Sequence, residues 1–168
     1  LRFVNCTFAN NSSSSGAGIA QISGTATPGA SGTEFVSCTI TNNAGGTGGH
    51  PTGLIHFAYE IGVETAVRVK NSVIYGKTVG GPVSNPNFTG WGKPGTVELI
   101  GANLFTDPQL GPIERIGGVY VRRPLPGSPC IDSAAADPEV LVDQVGQFRP
   151  QLRPGTILAP GCDGSDIG

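Results

Sequence analysis

Short runs in which apolar and polar residues alternate, each closed by Asn or Gly, recur through the first hundred positions. Residues 1–11 read LRFVNCTFANN and residues 33–43 read TEFVSCTITNN, an offset of 32. Phe3-Val4 matches Phe35-Val36, Cys6-Thr7 matches Cys38-Thr39, and Asn10-Asn11 matches Asn42-Asn43. A more diverged copy, VRVKNSVIYGK, starts at Val67 and aligns Asn71 with Asn5 and Ile74 with Phe8 and Ile40. A second type of strand recurs in the same units: Gly18–Ser23 aligns with Gly53–Ala58, and Thr96–Ile100 reads as a looser third copy. Period-two alternation between turn residues predicts short strands, and helix-forming runs are missing. The chain therefore reads as all-β.

A unit of roughly 32–40 residues made of strands and bends cannot bury its apolar face alone and must stack on its neighbours. The expected architecture is a parallel β-helix of about three rungs (1–32, 33–66, 67–105), with residues 106–168 as a C-terminal strand and capping segment of the same domain. Equivalent positions would lie about 4.8 Å apart on successive rungs. Phe8, Ile40 and Ile74 then form an interior stack. Asn5, Ser37 and Asn71 form a polar ladder at a bend, where Asn tolerates a left-handed backbone. The outward row Arg2, Glu34, Arg68 alternates in sign, as stacked strands favour.

Composition supports this reading. Gly (27) and Pro (14) fill about a quarter of the 168 positions, and charged residues only 13%. A mean hydropathy near zero and a net charge of −2 argue against disorder. The weakly acidic balance argues against a nucleic-acid partner, and no run of about 18 apolar residues predicts a membrane span.

The repeats NCTFANN…GAGIA and SCTITNN…GLIHF resemble those of bacterial surface β-helix proteins, including polymorphic outer-membrane proteins. The segments LIGANLFTDPQLGP (99–112), PLPGSPCIDS (124–133), DQVGQFRP (143–150) and CDGSDIG (162–168) resemble, in that order, choice-of-anchor Q domain proteins. The resemblance implies a right-handed β-helix and a secreted bacterial protein at the cell surface, with no assigned chemistry. Cys130 stands where that pattern commonly has Ala, and Asp163-Gly164-Ser165 interrupts its final motif.

The four cysteines fall as Cys6/Cys38 and Cys130/Cys162, each pair 32 apart. The first spacing equals one rung, leaving a disulfide and a stack of reduced thiols both open. A Cys130–Cys162 bond is the stronger expectation, since it would clip the irregular C-terminal segment and contribute about 3–4 kcal/mol. Even pairing points to an oxidising, extracellular setting.

The candidate chemistry is sparse. Gln21, His56 and Glu98 would form an outward row on the second strand, where β-helix lyases and hydrolases work, yet no paired carboxylates or base-and-cation motif accompany it. A solvated polar row is the favoured reading. Asp132, Asp137, Glu139, Asp143, Asp163 and Asp166 cluster late; turn capping is favoured over Ca²⁺ ligation, which needs six to eight oxygens in a recognisable loop. His50 reads as a loop residue and Trp91 as a lid over the coil. Gly45–Gly49 and Gly80-Gly81 lack the Lys-Ser/Thr of a phosphate loop. The triplets headed by Asn5, Asn11 and Asn87 match the glycosylation pattern only as often as chance allows.

No catalytic, cofactor-binding or metal-binding residue is expected. Leu1–Phe3 already reads as a strand with no cap ahead of it, so further rungs or other protein subunits are the expected partners at that open end. A surface glycan is a second candidate partner. The expected function is an extracellular structural or adhesive module. A polysaccharide lyase or hydrolase, or a glycan-binding module, is the alternative.

Overall fold

A computed structural model describes residues 1–11, 20–23, 32–43, 55–58, 66–76, 89–90, 96–151, 158 and 160–168. The described residues are all β. The strands are β1 (Arg2–Val4), β2 (Thr7–Ala9), β3 (Ala20–Ser23), β4 (Gly32–Val36), β5 (Thr39–Thr41), β6 (Ile55–Ala58), β7 (Ala66–Lys70), β8 (Val73–Tyr75), β9 (Thr89–Gly90), β10 (Thr96–Ile100), β11 (Leu110–Ile116) and β12 (Val119–Pro124). Among these residues no helix is long and apolar enough to cross a membrane.

Three parallel sheets each take one strand from successive sequence units, in the orders β1-β4-β7-β10, β2-β5-β8 and β3-β6-β9. The registers follow the repeat: Phe3 opposes Phe35, and Phe8, Ile40 and Ile74 lie in line. An isolated parallel bridge from Val73 to Leu104 extends the second sheet. β11 and β12 form an antiparallel hairpin outside this pattern.

The interior is built from the predicted stack. Phe35, Cys38, Ile40, Val69 and Ile74 form one buried cluster, with Phe3, Cys6, Phe8 and Phe105 packed against it. Phe3 stacks on Phe35 at 5.1 Å, and Phe8 meets the Phe35 ring edge-on at 5.9 Å. Truncating a buried ring of this kind costs about 3–5 kcal/mol.

The bends follow from residue type. Asn5, Ser37 and Asn71 have φ of 52°, 49° and 47°, and Asn10 and Asn42 repeat the left-handed turn at 59° and 56°. Gly101, at φ 66°, continues the first row. A Cβ there would collide with the Asn71 side-chain oxygen, so the position requires glycine. The second Asn of each pair forms a ladder: Asn11 Nδ2 donates to Asn43 Oδ1 (2.8 Å), and Asn43 Nδ2 donates to Phe8 O (2.8 Å).

Two placements differ from expectation. Thr96–Ile100 belongs to the first sheet, with Glu98 opposite Arg68, and the strand that pairs with β6 is β9. The span 67–105 therefore holds a strand of a fourth unit. Residues 135–142 of the C-terminal segment lie along the side of the sheets. The run leaves Asn71, which donates to Ala135 O (2.7 Å), and passes Lys70, whose Nζ is 2.9 Å from Asp137. It then reaches the first unit, where Glu139 meets Arg2 at 2.8 Å and Val142 O accepts from Asn5 at 2.6 Å.

Candidate functional site

The row Gln21, His56, Glu98 is not assembled. Gln21 and His56 are register partners, but the next residue in line is Thr89. Glu98 is held instead by Arg68, whose Nε donates to Glu98 Oε2 at 2.7 Å. Opposite charges facing each other on adjacent strands favour this pairing by roughly 0.2–1 kcal/mol.

The late acidic residues are engaged in turns and ion pairs. Asp137 binds Lys70 and accepts from the Glu139 N–H, and Asp143 accepts from Val145 N and Gln147 N. Asp163 accepts from Ala136 N and Ser165 N, and Asp166 accepts from Asp132 N. Burial pushes the Asp137 carboxyl up, but Lys70, the Glu139 N–H and the Arg2 charge together hold it below the usual carboxylate range. Asp163 is likewise lowered: burial raises it, and the hydrogen bonds from Ala136 and Ser165 outweigh that. Among the described residues no group of three or more His, Cys, Asp or Glu is placed to hold a metal ion.

All four cysteines are free thiols in this structure. The Cys130–Cys162 bond is not formed, and the register explains why. The two segments run antiparallel: Ile167 N donates to Cys130 O, Ala134 N donates to Ser165 O, and Asp163 N donates to Ala134 O. Cys130 and Cys162 therefore sit at opposite ends of the pairing. The Cys130 thiol lies under Pro108 O, and burial pushes it up to about 11.

Among the described residues a half-open polar cleft of about 460 Å³ lies beside the first two units. Its floor includes Asn5, Thr7, Ser37 and Thr39, and its walls come from β12 and the C-terminal segment. Thr7 and Thr39 are register partners, so the floor is a direct product of the repeat. Thr7 Oγ1 donates to Gln144 Oε1 (2.7 Å), which draws the C-terminal segment over it. Arg122 Nη1 reaches Thr41 Oγ1 (3.1 Å), and its Nε donates to Gly111 O (2.9 Å).

Arg149 closes the far wall, with Nη2 on Gly168 O (2.8 Å) and Nη1 on Asp166 O (3.4 Å). Burial pulls its pKa down while Asp143 and Asp166 oppose that, and a guanidinium stays charged throughout. Among the described residues its buried Nε has no hydrogen-bond partner. Guanidinium, amide and hydroxyl groups in this arrangement can bind a hydroxylated or anionic molecule. Asp143 and Asp166 are occupied with backbone N–H groups.

The cleft was not foreseen from the sequence. Its one local signal was the segment 143–150, whose Gln144, Gln147 and Arg149 all line it. His50, Trp91, Gly45–Gly49, Gly80-Gly81 and Asn87 lie outside the described residues. Comparison with protein-family models, curated proteins and solved structures finds no match to this chain.

Proposed function

We propose that the three parallel sheets are the faces of a right-handed parallel β-helix of about three rungs, and that the chain is an extracellular or cell-surface structural and adhesive module. The observation that carries this reading is the edge formed by β1, β2 and β3. Each is the terminal strand of its sheet among the described residues, and Phe3 and Phe8 there are only half-buried. Such an edge is a template for further strands. The C-terminal segment braces it through Arg2 and Asn5. Further rungs or another subunit would complete the apolar stack. The resemblance to choice-of-anchor Q and outer-membrane-protein repeats accords with a secreted bacterial setting.

A second reading, glycan binding, is favoured by the arginine-bearing cleft. Sugars present the hydroxyl and carboxylate groups that such a lining recognises.

The edge is tested through Val4. Leu1 O and Asn5 N face β4, accepting from Glu34 and donating to Val36 O, so alternation turns the Val4 N–H away from that pairing. Val4→Pro removes an outward donor and leaves the β1–β4 ladder intact. The expected result is concentration-dependent association of the chain in sedimentation, reduced at least tenfold in affinity by Val4→Pro. A screen of uronate polysaccharides for new unsaturated ends should be silent with or without Ca²⁺. Turnover abolished by His56→Ala would replace the structural reading with an enzymatic one.

A further inference from the structure

We propose that Cys6 and Cys38, not Cys130 and Cys162, are the disulfide-forming pair of this protein, and that their bond ties the edge unit to the next. Cys6 immediately precedes β2 and Cys38 immediately precedes β5, and those strands pair with Thr7 opposite Thr39. Thr39 N donates to Cys6 O at 2.9 Å, so the register runs through the cysteines themselves. Neighbouring strands bring Cα atoms to about 4.8 Å, inside the range a disulfide spans. Both residues belong to the same interior cluster. The Cys38 thiol lies 3.5 Å from Phe3 O and 3.4 Å from Val36 O, and the Cys6 thiol 3.2 Å from Val4 O.

The oxidant required is a low-molecular-weight disulfide. Cys6, half-buried at the edge, is the entry point, whereas Cys38 is fully buried. The Cys6 thiolate attacks one sulfur of the reagent and releases one thiol. The Cys38 sulfur then attacks Cys6 in the mixed disulfide and releases the second thiol. The protein loses two protons and two electrons, and the reagent is reduced to two thiols. Burial pushes the Cys38 thiol up to about 12, so closure is the slow step and accelerates with pH.

The test treats the reduced full chain with oxidised glutathione at about pH 8.5, where an ordinary thiol is half ionised. Free thiols are then alkylated and the peptides mapped. The expected product is a peptide joining Cys6 to Cys38, lighter by two hydrogens, with Cys130 and Cys162 recovered alkylated. Closing a loop of this length should raise the melting temperature by roughly 10 °C, reversibly on reduction. Cys6→Ser, a near-isosteric change, should melt like the reduced protein and show no rise with oxidant. A persistent glutathione adduct on Cys6 that never closes would overturn the proposal, as would a Cys130–Cys162 peptide. Bond formation in the purified chain is independent of where the protein resides, so its failure leaves the surface-module reading untouched.

Discussion

Asn71 holds four partners from a single left-handed position at φ 47°, its N–H donating to Ile100 O (3.3 Å). Its Oδ1 accepts from Ala102 N (3.0 Å), its Nδ2 donates to Ala135 O (2.7 Å), and its carbonyl accepts from Gly168 N (2.9 Å). It is 3% exposed, so no water replaces a lost partner. Asn71→Ala should therefore cost about 2–4 kcal/mol in urea unfolding, from buried groups left unpaired and a strained backbone. Asn71→Gly should cost less, because it relieves the backbone and forfeits only the side-chain bonds. The left-handed ladder of Asn5, Ser37 and Asn71 was legible from the repeat and from the chemistry of Asn. The bond to Ala135 was not, since residue 135 belongs to no repeat.

At the scale of elements, the first sheet carries the row Arg2, Glu34, Arg68, Glu98 across its four strands. Arg2 and Glu34 meet at 2.9 Å, and Arg68 and Glu98 at 2.7 Å. Three members of the row were readable from the repeat. Glu98 was not, because Thr96–Ile100 alternates in a way that suits either sheet, and only its pairing with β7 decides the matter. Arg68→Glu would align three carboxylates on consecutive strands and should lower the melting temperature. Adding Glu98→Arg should recover most of that loss, and half-molar salt should shrink the difference. No rescue would mean that β10 does not pair with β7.

At the scale of the whole molecule, the C-terminal segment is the element that joins units distant in sequence. Residues 135–144 run from Asn71 back to Thr7, and Asp137 anchors the run on Lys70 with its side chain only 5% exposed. The Asp137 and Asp163 carboxyls are both held below the usual carboxylate range in the folded chain. Their contribution is therefore complete above the ordinary Asp pKa of about 3.9 and is lost as pH falls through the lower folded values. Thermal melts should be insensitive to these groups near neutrality and should fall steeply in that acid range. Lys70→Met should be more damaging at pH 7 than at pH 3, because it strands a buried carboxylate that acid neutralises. Equal loss at both pH values would show that the ion pair does not anchor the segment.

The amino-acid sequence by itself determined whatever is periodic: the strand types, the 32-residue register, the left-handed bends and the Phe8–Ile40–Ile74 stack. A repeat carries this information because each residue's neighbour lies one unit further along, 32 positions from Phe3 to Phe35 and 34 from Phe35 to Val69. Tertiary structure alone decided the path of the C-terminal segment, the cleft it roofs and the separation of Cys130 from Cys162. Those contacts join residues as far as 137 apart, as in Asn5 to Val142, and occur once each. They depend on where a single aperiodic segment comes to rest against the sheets, and no local pattern of side chains encodes that.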